Sequence, residues 1–204
     1  MNSGPISYHG GHSGQYCTHA KDRLEDMIRR YIELGFSSVG ITEHIPPSGD
    51  EFLYPDEIEA GLDAASLCSR FSDYMAEMSE LKNRYSGKIA LYRGMEIETV
   101  TGYAGHIRAL AGKFRPDYIV GSVHHVNDVC FDYSKESYDA LARTLGSIDS
   151  LYEIYFDLQY DMIQALRPFV VGHFDLIRIY DDDYLNRMTR PGIAEKIDRN
   201  LELI

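Results

Sequence analysis

Cysteine is scarce in this chain, and so is positive charge. Its 204 residues include three cysteines, Cys17, Cys68 and Cys130, and none of them forms a C-x-x-C pair. We therefore expect no disulfide framework and no thiolate zinc site, and we expect a reducing, cytoplasmic compartment. Lysine and arginine number 20 against 32 aspartates and glutamates, which gives a net charge of -12. This balance argues against nucleic acid as the main partner, because phosphate backbones are bound through dense basic surfaces.

Long apolar runs and several catalytic signatures are also missing. No segment approaches the ~18 apolar residues of a membrane span, so no membrane partner is expected. Residues 1–14 are polar and glycine-rich, without the apolar core of a secretory signal. The sequence has no G-x-G-x-x-G, no Walker loop and no G-x-S-x-G elbow. A small phosphorylated substrate remains compatible with the acidic composition, because bound divalent cations reverse the local charge.

Short apolar runs alternate with amphipathic segments along the chain. The runs predict strands at residues 6–8, 37–41, 89–92, 117–123 and 169–172. The amphipathic segments predict helices at residues 21–34, 56–85, 106–111, 137–145, 149–166 and 193–204. Strands that alternate with helices indicate parallel strands joined by crossover helices. The sequence therefore predicts an α/β fold, in a single domain over residues 1–204.

Potential metal ligands follow the predicted strands. The second to fifth strands lead into His44, Glu96, His124 and His173 respectively. Because the carboxyl ends of parallel strands lie at one face of the fold, we expect these side chains to converge. The first strand leads into a cluster with three further histidines, His9, His12 and His19. Imidazole and carboxylate ligands without cysteine suit zinc, manganese or iron in a catalytic site.

Each of these residues also has a plainer interpretation. A histidine in a loop usually lies at the surface, and His106 is expected there. His124 and His125 could form a satisfied core pair, Glu98 could be solvated, and residues 181–183 are expected to form a solvated acidic loop. Coincidence, however, would have to place a ligand type at the end of every predicted strand. The joint pattern therefore favours a metal site.

The motifs that carry these residues resemble a known family. They are His12-Ser-Gly-Gln-Tyr-Cys-Thr-His19, Thr42-Glu43-His44, Gly94-Met95-Glu96, Gly121-Ser-Val-His124-His125 and Gly172-His173-Phe-Asp175-Leu-Ile-Arg178. In this order they resemble the polymerase and histidinol phosphatase (PHP) family, and within it the histidinol-phosphate phosphatases of fungal type. The resemblance implies a distorted (β/α) barrel of seven strands that holds up to three metal ions. It implies metal ligands at His12, His19, His44, Glu96, His124 and His173.

Two features depart from the family pattern. The family opens with H-x-H, whereas here two glycines separate His9 from His12. Residues three apart on a strand do not share a face unless a bulge absorbs the extra residue, which glycine permits, so His9 is kept as a ligand. The family's last motif, Asp-x-His, does not occur after His173. With about five predicted strands, the barrel is expected to be incomplete at the carboxyl end. The chain would then be a fragment, a truncated gene product or an inactive relative.

The leading functional hypothesis is a metal-dependent phosphomonoesterase. The resemblance implies L-histidinol phosphate as its substrate, and L-histidinol and phosphate as products in histidine biosynthesis. Arg178 is a candidate phosphate clamp or a surface residue, and His125 is a candidate to contact the substrate or to protonate the leaving alkoxide. The alternatives are a catalytically impaired metal-binding remnant of the fold and another phosphoesterase of the same family. A nuclease is disfavoured by the acidic charge, and the oligomeric state is left open.

Overall fold

A computed structural model describes residues 4–204; residues 1–3, at the start of the predicted domain, lie outside the described part. The chain divides into two compact units. The first comprises residues 4–97 together with His106–Val120, and the second comprises Glu98–Gly105 together with Gly121–Ile204. The single domain over residues 1–204 stays a prediction. Nowhere in residues 4–204 is a helix both long and apolar enough to cross a membrane.

The first unit is built around parallel strands. They are β1 (Ile6–Ser7), β2 (Ser38–His44), β3 (Ala90–Ile97) and the start of β4 (Tyr118–Gly121), in the order β1-β2-β3-β4. Strands β1 and β2 pair in parallel, and so do β2 and β3, in a register that runs from Ser38 opposite Ala90 to His44 opposite Glu96. The predicted α/β class is therefore confirmed. This register also sets two candidate ligands side by side at the carboxyl ends of neighbouring strands.

Four α-helices of the described chain lie wholly or partly in the first unit. They are α1 (Leu24–Glu33), α2 (Pro55–Glu59), α3 (Ala64–Arg84) and α4 (Tyr103–Phe114), which runs across the boundary between the units. The hydroxyl of Tyr74 on α3 is fully buried and lies 2.7 Å from the Ile41 carbonyl oxygen and 2.8 Å from that of Gly94. Its single proton is shared between β2 and β3. The aromatic side chain thus fastens α3 to both strands.

The predicted helix over residues 56–85 is wrong as one element. Helix α2 ends just before Gly61, which has a φ of +68°. Asp63 then starts α3, because its carboxylate accepts a hydrogen bond from Ser66 N–H and the Ser66 side chain reaches back to the Asp63 N–H. A glycine in the left-handed region followed by an N-terminal cap terminates one helix and starts another. The predicted strands 37–41 and 89–92 are too short, since β2 and β3 continue through buried carboxylates to His44 and Ile97.

The second unit combines helices with short strands. The helices are α5 (Lys135–Thr144), α6 (Ile148–Leu166), α7 (Tyr184–Arg187) and α8 (Pro191–Leu201), and the strands are β5 (His125–Val126), β6 (Val129–Cys130) and β7 (Val170–Val171). The break between α5 and α6 falls at Gly146, at a φ of +95°, as predicted. After β7, the N–H of Gly172 donates to the carbonyl of Gly121 at 2.9 Å. Strands β5 and β6 form an antiparallel hairpin that the sequence analysis did not predict.

The acidic segment of residues 181–183 differs from its prediction. Asp181 is only 7% exposed and is not solvated. Its carboxylate accepts hydrogen bonds from Arg187 Nε at 2.6 Å and from the Tyr152 hydroxyl at 3.0 Å. A buried carboxylate needs such partners, because burial of an uncompensated charge is costly. Asp181 therefore has a structural role in the second unit.

Candidate functional site

The segment that carries His9 and His12 depends on its two glycines. The N–H of Gly10 donates to the Gly40 carbonyl at 2.8 Å, and a Cβ at Gly10 would come within 2.7 Å of that oxygen. Gly11 has a φ of +89°, which side chains rarely tolerate. This backbone absorbs the extra residue between the histidines. As a result His12 Nε2 lies 3.0 Å and His9 Nε2 lies 3.6 Å from the carboxylate of Glu96.

Six side chains of the first unit form what we call the first cluster: His9, His12, His19, His44, Glu43 and Glu96. The imidazoles of His12 and His44 stack with centroids 4.1 Å apart and an interplanar angle of 11°. His19 stands edge-on to both, with centroids 5.4 Å from each. One ring nitrogen of each of these three histidines lies within 4.8 Å of the other two. Such spacing suits three ligands of one metal ion, since zinc–nitrogen bonds are about 2.0–2.1 Å long.

Two carboxylates complete the first cluster. Glu96, on β3, has no exposed surface, and one of its oxygens lies within 4.8 Å of a His44 ring nitrogen. Glu43, which the sequence analysis did not select, is 2% exposed, and its Oε1 accepts hydrogen bonds of 2.8 Å from both the N–H and the hydroxyl of Ser13. The signal that could have found it is a charged residue inside a buried strand, directly before a candidate ligand. Anions enter such positions only when they are bound by donors or cations.

The polar atoms of the first cluster fit a cation. His12 Nδ1 and Glu43 Oε2 are buried and form no hydrogen bond in the described chain, and they face each other at 3.8 Å. Burial lowers the pKa of His12 to about 4, although its hydrogen bond with Glu96 acts in the opposite direction. Burial raises the pKa of Glu43 to about 7. His12 is therefore a neutral imidazole at neutral pH, which is the form that binds metals.

The second unit holds a further group of side chains, which we call the second cluster: Glu98, His124, His125, Asp132 and His173. The rings of His124 and His173 are 5.2 Å apart, edge to face. His125 Nδ1 lies 3.2 Å from Glu98 Oε2, and both side chains are buried. The alternative interpretation in which Glu98 is solvated is therefore wrong. Asp132, which the sequence analysis also did not select, lies 2.8 Å from His124 Nδ1.

Two further residues from the sequence analysis, Arg178 and His106, form other contacts. Arg178 forms an ion pair with Asp175 at 2.6 Å, lies over the Tyr184 ring at 5.0 Å, and is partly exposed. Its role as a phosphate clamp stays a prediction. His106 is half-buried, not fully at the surface, and its Nε2 is hydrogen bonded to the Pro46 carbonyl at 2.8 Å. The structure thus places five candidate ligands in the first cluster and two in the second, and their convergence on one site stays a prediction.

Parallel strands that carry histidines and a buried carboxylate at their carboxyl ends define an α/β protein with a set of potential metal ligands. The family comparison makes this specific: the PHP domain model matches residues 9–204, and the chain belongs to the PHP domain family. The protein named "probable histidinol-phosphatase" of Schizosaccharomyces pombe is 38% identical over 97% of this chain and 65% of its own length. The chain spans less than two thirds of the length of the curated relatives it matches.

Two solved structures share the fold. A proposed histidinol phosphatase from Listeria monocytogenes superposes with a TM-score of 0.84 at 22% identity, over 98% of this chain and 78% of that protein. A histidinol phosphate phosphatase from Lactococcus lactis, complexed with zinc, L-histidinol and phosphate, superposes with a TM-score of 0.66 at 17% identity, over 96% and 68% of the two chains. The predicted fold of the PHP type is therefore confirmed.

Proposed function

We propose that this protein is a metal-dependent phosphomonoesterase that hydrolyses L-histidinol phosphate to L-histidinol and phosphate. The observation that carries the proposal is the first cluster, where three histidines bring ligand atoms within 4.8 Å of one another and Glu96 is fully buried beside them. Imidazoles beside buried carboxylates, without cysteine, are a donor set typical of catalytic metal sites. The S. pombe relative carries the name of the same activity.

The proposed ligands are His9, His12, His19, His44, Glu96, His124 and His173. Zinc, iron or manganese fits this donor set, with up to three ions. When bound, such ions lower the pKa of a coordinated water and polarise phosphate oxygens. Zinc is present in the L. lactis structure, together with L-histidinol and phosphate. A small phosphorylated molecule is thus the proposed partner, and the cytoplasm the proposed compartment.

Two side chains are proposed to act on the substrate. Arg178 would hold phosphate oxygens through its planar guanidinium, once it exchanges the Asp175 carboxylate for the phosphate. His125 would protonate the leaving alkoxide oxygen, and this requires a proton on the ring nitrogen that faces the substrate. Glu98 Oε2, at 3.2 Å from His125 Nδ1, would accept a hydrogen bond from that nitrogen and fix the orientation of the ring. Nε2 of His125 would then carry the proton that is transferred.

Phosphate release from L-histidinol phosphate tests the proposal directly. The metal-replete protein should release phosphate, and removal of metal by a chelator should abolish release until zinc or manganese is restored. p-Nitrophenyl phosphate and a single-stranded oligonucleotide serve as comparison substrates. Tight metal binding without hydrolysis of any of the three would contradict the proposal and support a metal-binding remnant. Preferential cleavage of the oligonucleotide would instead support a nuclease.

If His125 is the general acid, its substitution should lower kcat without changing the zinc content. His125→Asn should lower kcat about 100-fold, the usual worth of a general acid, while zinc content stays unchanged. Glu98→Gln should lower kcat in the same direction and by a smaller factor, since the imidazole remains. His106→Asn is the matched control and should retain kcat, because His106 is neither a proposed ligand nor a proposed acid and its Nε2 is hydrogen bonded to the Pro46 carbonyl. A parallel loss of zinc and kcat in His125→Asn would mean that His125 acts on metal binding instead.

A further inference from the structure

The β5–β6 hairpin returns the chain to the side of His124. His125 pairs with Cys130 and Val126 pairs with Val129, so the turn contains two residues only. These residues, Asn127 and Asp128, have φ values of 51° and 62°, the geometry of a type I′ turn. The N–H of Phe131 donates to the His124 carbonyl at 3.2 Å and extends the pairing by one step. Asp132, the next residue, is thereby placed beside the His124 side chain.

Several contacts fix the carboxylate of Asp132 in this position. Its Oδ2 accepts from His124 Nδ1 at 2.8 Å, and its Oδ1 accepts from the thiol of Cys130 at 3.0 Å. The Tyr180 hydroxyl donates to the Asp132 backbone carbonyl at 3.2 Å. The side chains of His124 and Asp132 are only 7% and 18% exposed, so water competes little for their hydrogen bond. The carboxylate therefore has a defined orientation before any ligand binds.

The hydrogen bond to Asp132 also decides where the His124 proton lies. A neutral imidazole carries one proton, and a carboxylate cannot donate when it is ionised. His124 must then keep its proton on Nδ1 and present the lone pair of Nε2 on the opposite side of the ring. Histidine ligands of metals commonly donate their second ring N–H to a carboxylate, which fixes the tautomer and increases the basicity of the ligand nitrogen.

We propose that Asp132 is a positioning residue that selects the Nδ1–H tautomer of His124 and so prepares Nε2 to bind a metal ion. The inference rests on the proposed metal-binding function and adds a residue that none of the family motifs contains. The hairpin supplies the geometry, since its two-residue turn sets the register that brings Asp132 to His124. Asp132 does not itself contact the substrate or the metal.

The tautomer of His124 in the metal-free protein is the first measurement. Nitrogen-15 shifts of the ring should report a proton on Nδ1 and none on Nε2 in the wild type, with the signal assigned through His124→Gln. Asp132→Ala should move the population towards Nε2–H and weaken zinc binding about 10- to 100-fold. Asp132→Asn keeps an acceptor oxygen without the charge. Its population of the His124 Nδ1–H tautomer and its zinc affinity should therefore lie between those of the wild type and of Asp132→Ala.

Two control variants distinguish the proposed effect of Asp132 on the His124 ring from a general effect on the stability of the β5–β6 hairpin. Cys130→Ala removes the thiol donor to Asp132 and leaves the contact with His124, so the tautomer should not change. Asp139→Asn removes one charge from α5, where the side chain pairs with Lys135, and zinc affinity should stay within twofold. Wild-type tautomer and wild-type zinc affinity in Asp132→Ala would overturn the inference. Absence of zinc binding by the wild-type protein would instead overturn the proposed function.

Discussion

Glu96→Gln should greatly weaken the binding of zinc by the first cluster. The carboxylate of Glu96 is fully buried and lies 3.0 Å from His12 Nε2 and 3.6 Å from His9 Nε2. Glutamine has nearly the same shape as glutamate, but it is neutral. An NH₂ group, which is a hydrogen-bond donor, replaces one of the two carboxylate oxygens. Loss of charge at a fully buried ligand should weaken zinc binding by at least about 100-fold, beyond the effect known for residues that only support a ligand. Chelator competition measures the change.

A matched substitution controls for the change in overall charge. Glu33→Gln on α1 makes the same chemical change at a largely exposed side chain that pairs with Arg30, and it should leave zinc affinity unchanged. Phosphate release from L-histidinol phosphate should fall with metal content in Glu96→Gln and remain normal in Glu33→Gln. Zinc affinity within threefold of wild type in a folded Glu96→Gln protein would show that Glu96 is not a ligand.

Five of the six members of the first cluster, all but Glu43, could be selected from the sequence, and two of them follow a simple rule of α/β folds. His44 and Glu96 stand at the ends of two apolar runs, and parallel strands end at one face. The pairing of His44 with Glu96 required only that the two runs be neighbouring parallel strands in similar register. His9 could be kept as a candidate ligand despite the extra residue before His12, because glycine tolerates the backbone that Gly11 adopts, at a φ of +89°.

The residues that support the ligands could not be predicted in the same way. Glu98 and Asp132 are carboxylates of ordinary sequence context, and Glu43 stands out only by its place in a buried strand. Burial by tertiary packing distinguishes all three from solvated carboxylates. The β5–β6 hairpin was missed because each of its strands has two residues, too few for any periodicity. The sequence signal of this hairpin is the Asn127-Asp128 pair between two valines, because asparagine and aspartate tolerate the positive φ of a two-residue turn. Only this turn sets Asp132 beside His124.

Gly94 links the packing of the sheet to the geometry of the first cluster. A Cβ at this position would lie 2.4 Å from Thr42 Cγ2, 2.8 Å from the Ile41 carbonyl oxygen and 2.9 Å from Tyr118 Cζ. The Ile41 carbonyl belongs to β2 and is also contacted by the Tyr74 hydroxyl, so it cannot move independently of the sheet. Thr42 Oγ1 in turn is hydrogen bonded to His9 Nδ1 at 2.7 Å. Any shift that admits a methyl group therefore also displaces a proposed ligand.

Gly94→Ala should consequently lower both stability and metal affinity. Overpacking of a rigid site costs about 1–3 kcal/mol, and the crowding here involves backbone as well as side chains, so the free energy of unfolding should fall by about 3 kcal/mol. Gly112→Ala on α4 is the control, because a Cβ there meets no atom within 4 Å and alanine favours helix, so it should be neutral or stabilising by up to about 1 kcal/mol. Urea denaturation measures the first effect and chelator competition the second. A destabilised Gly94→Ala protein with unchanged zinc affinity would mean that Thr42 relaxes without moving His9, and that His9 is held by the glycine-rich segment alone.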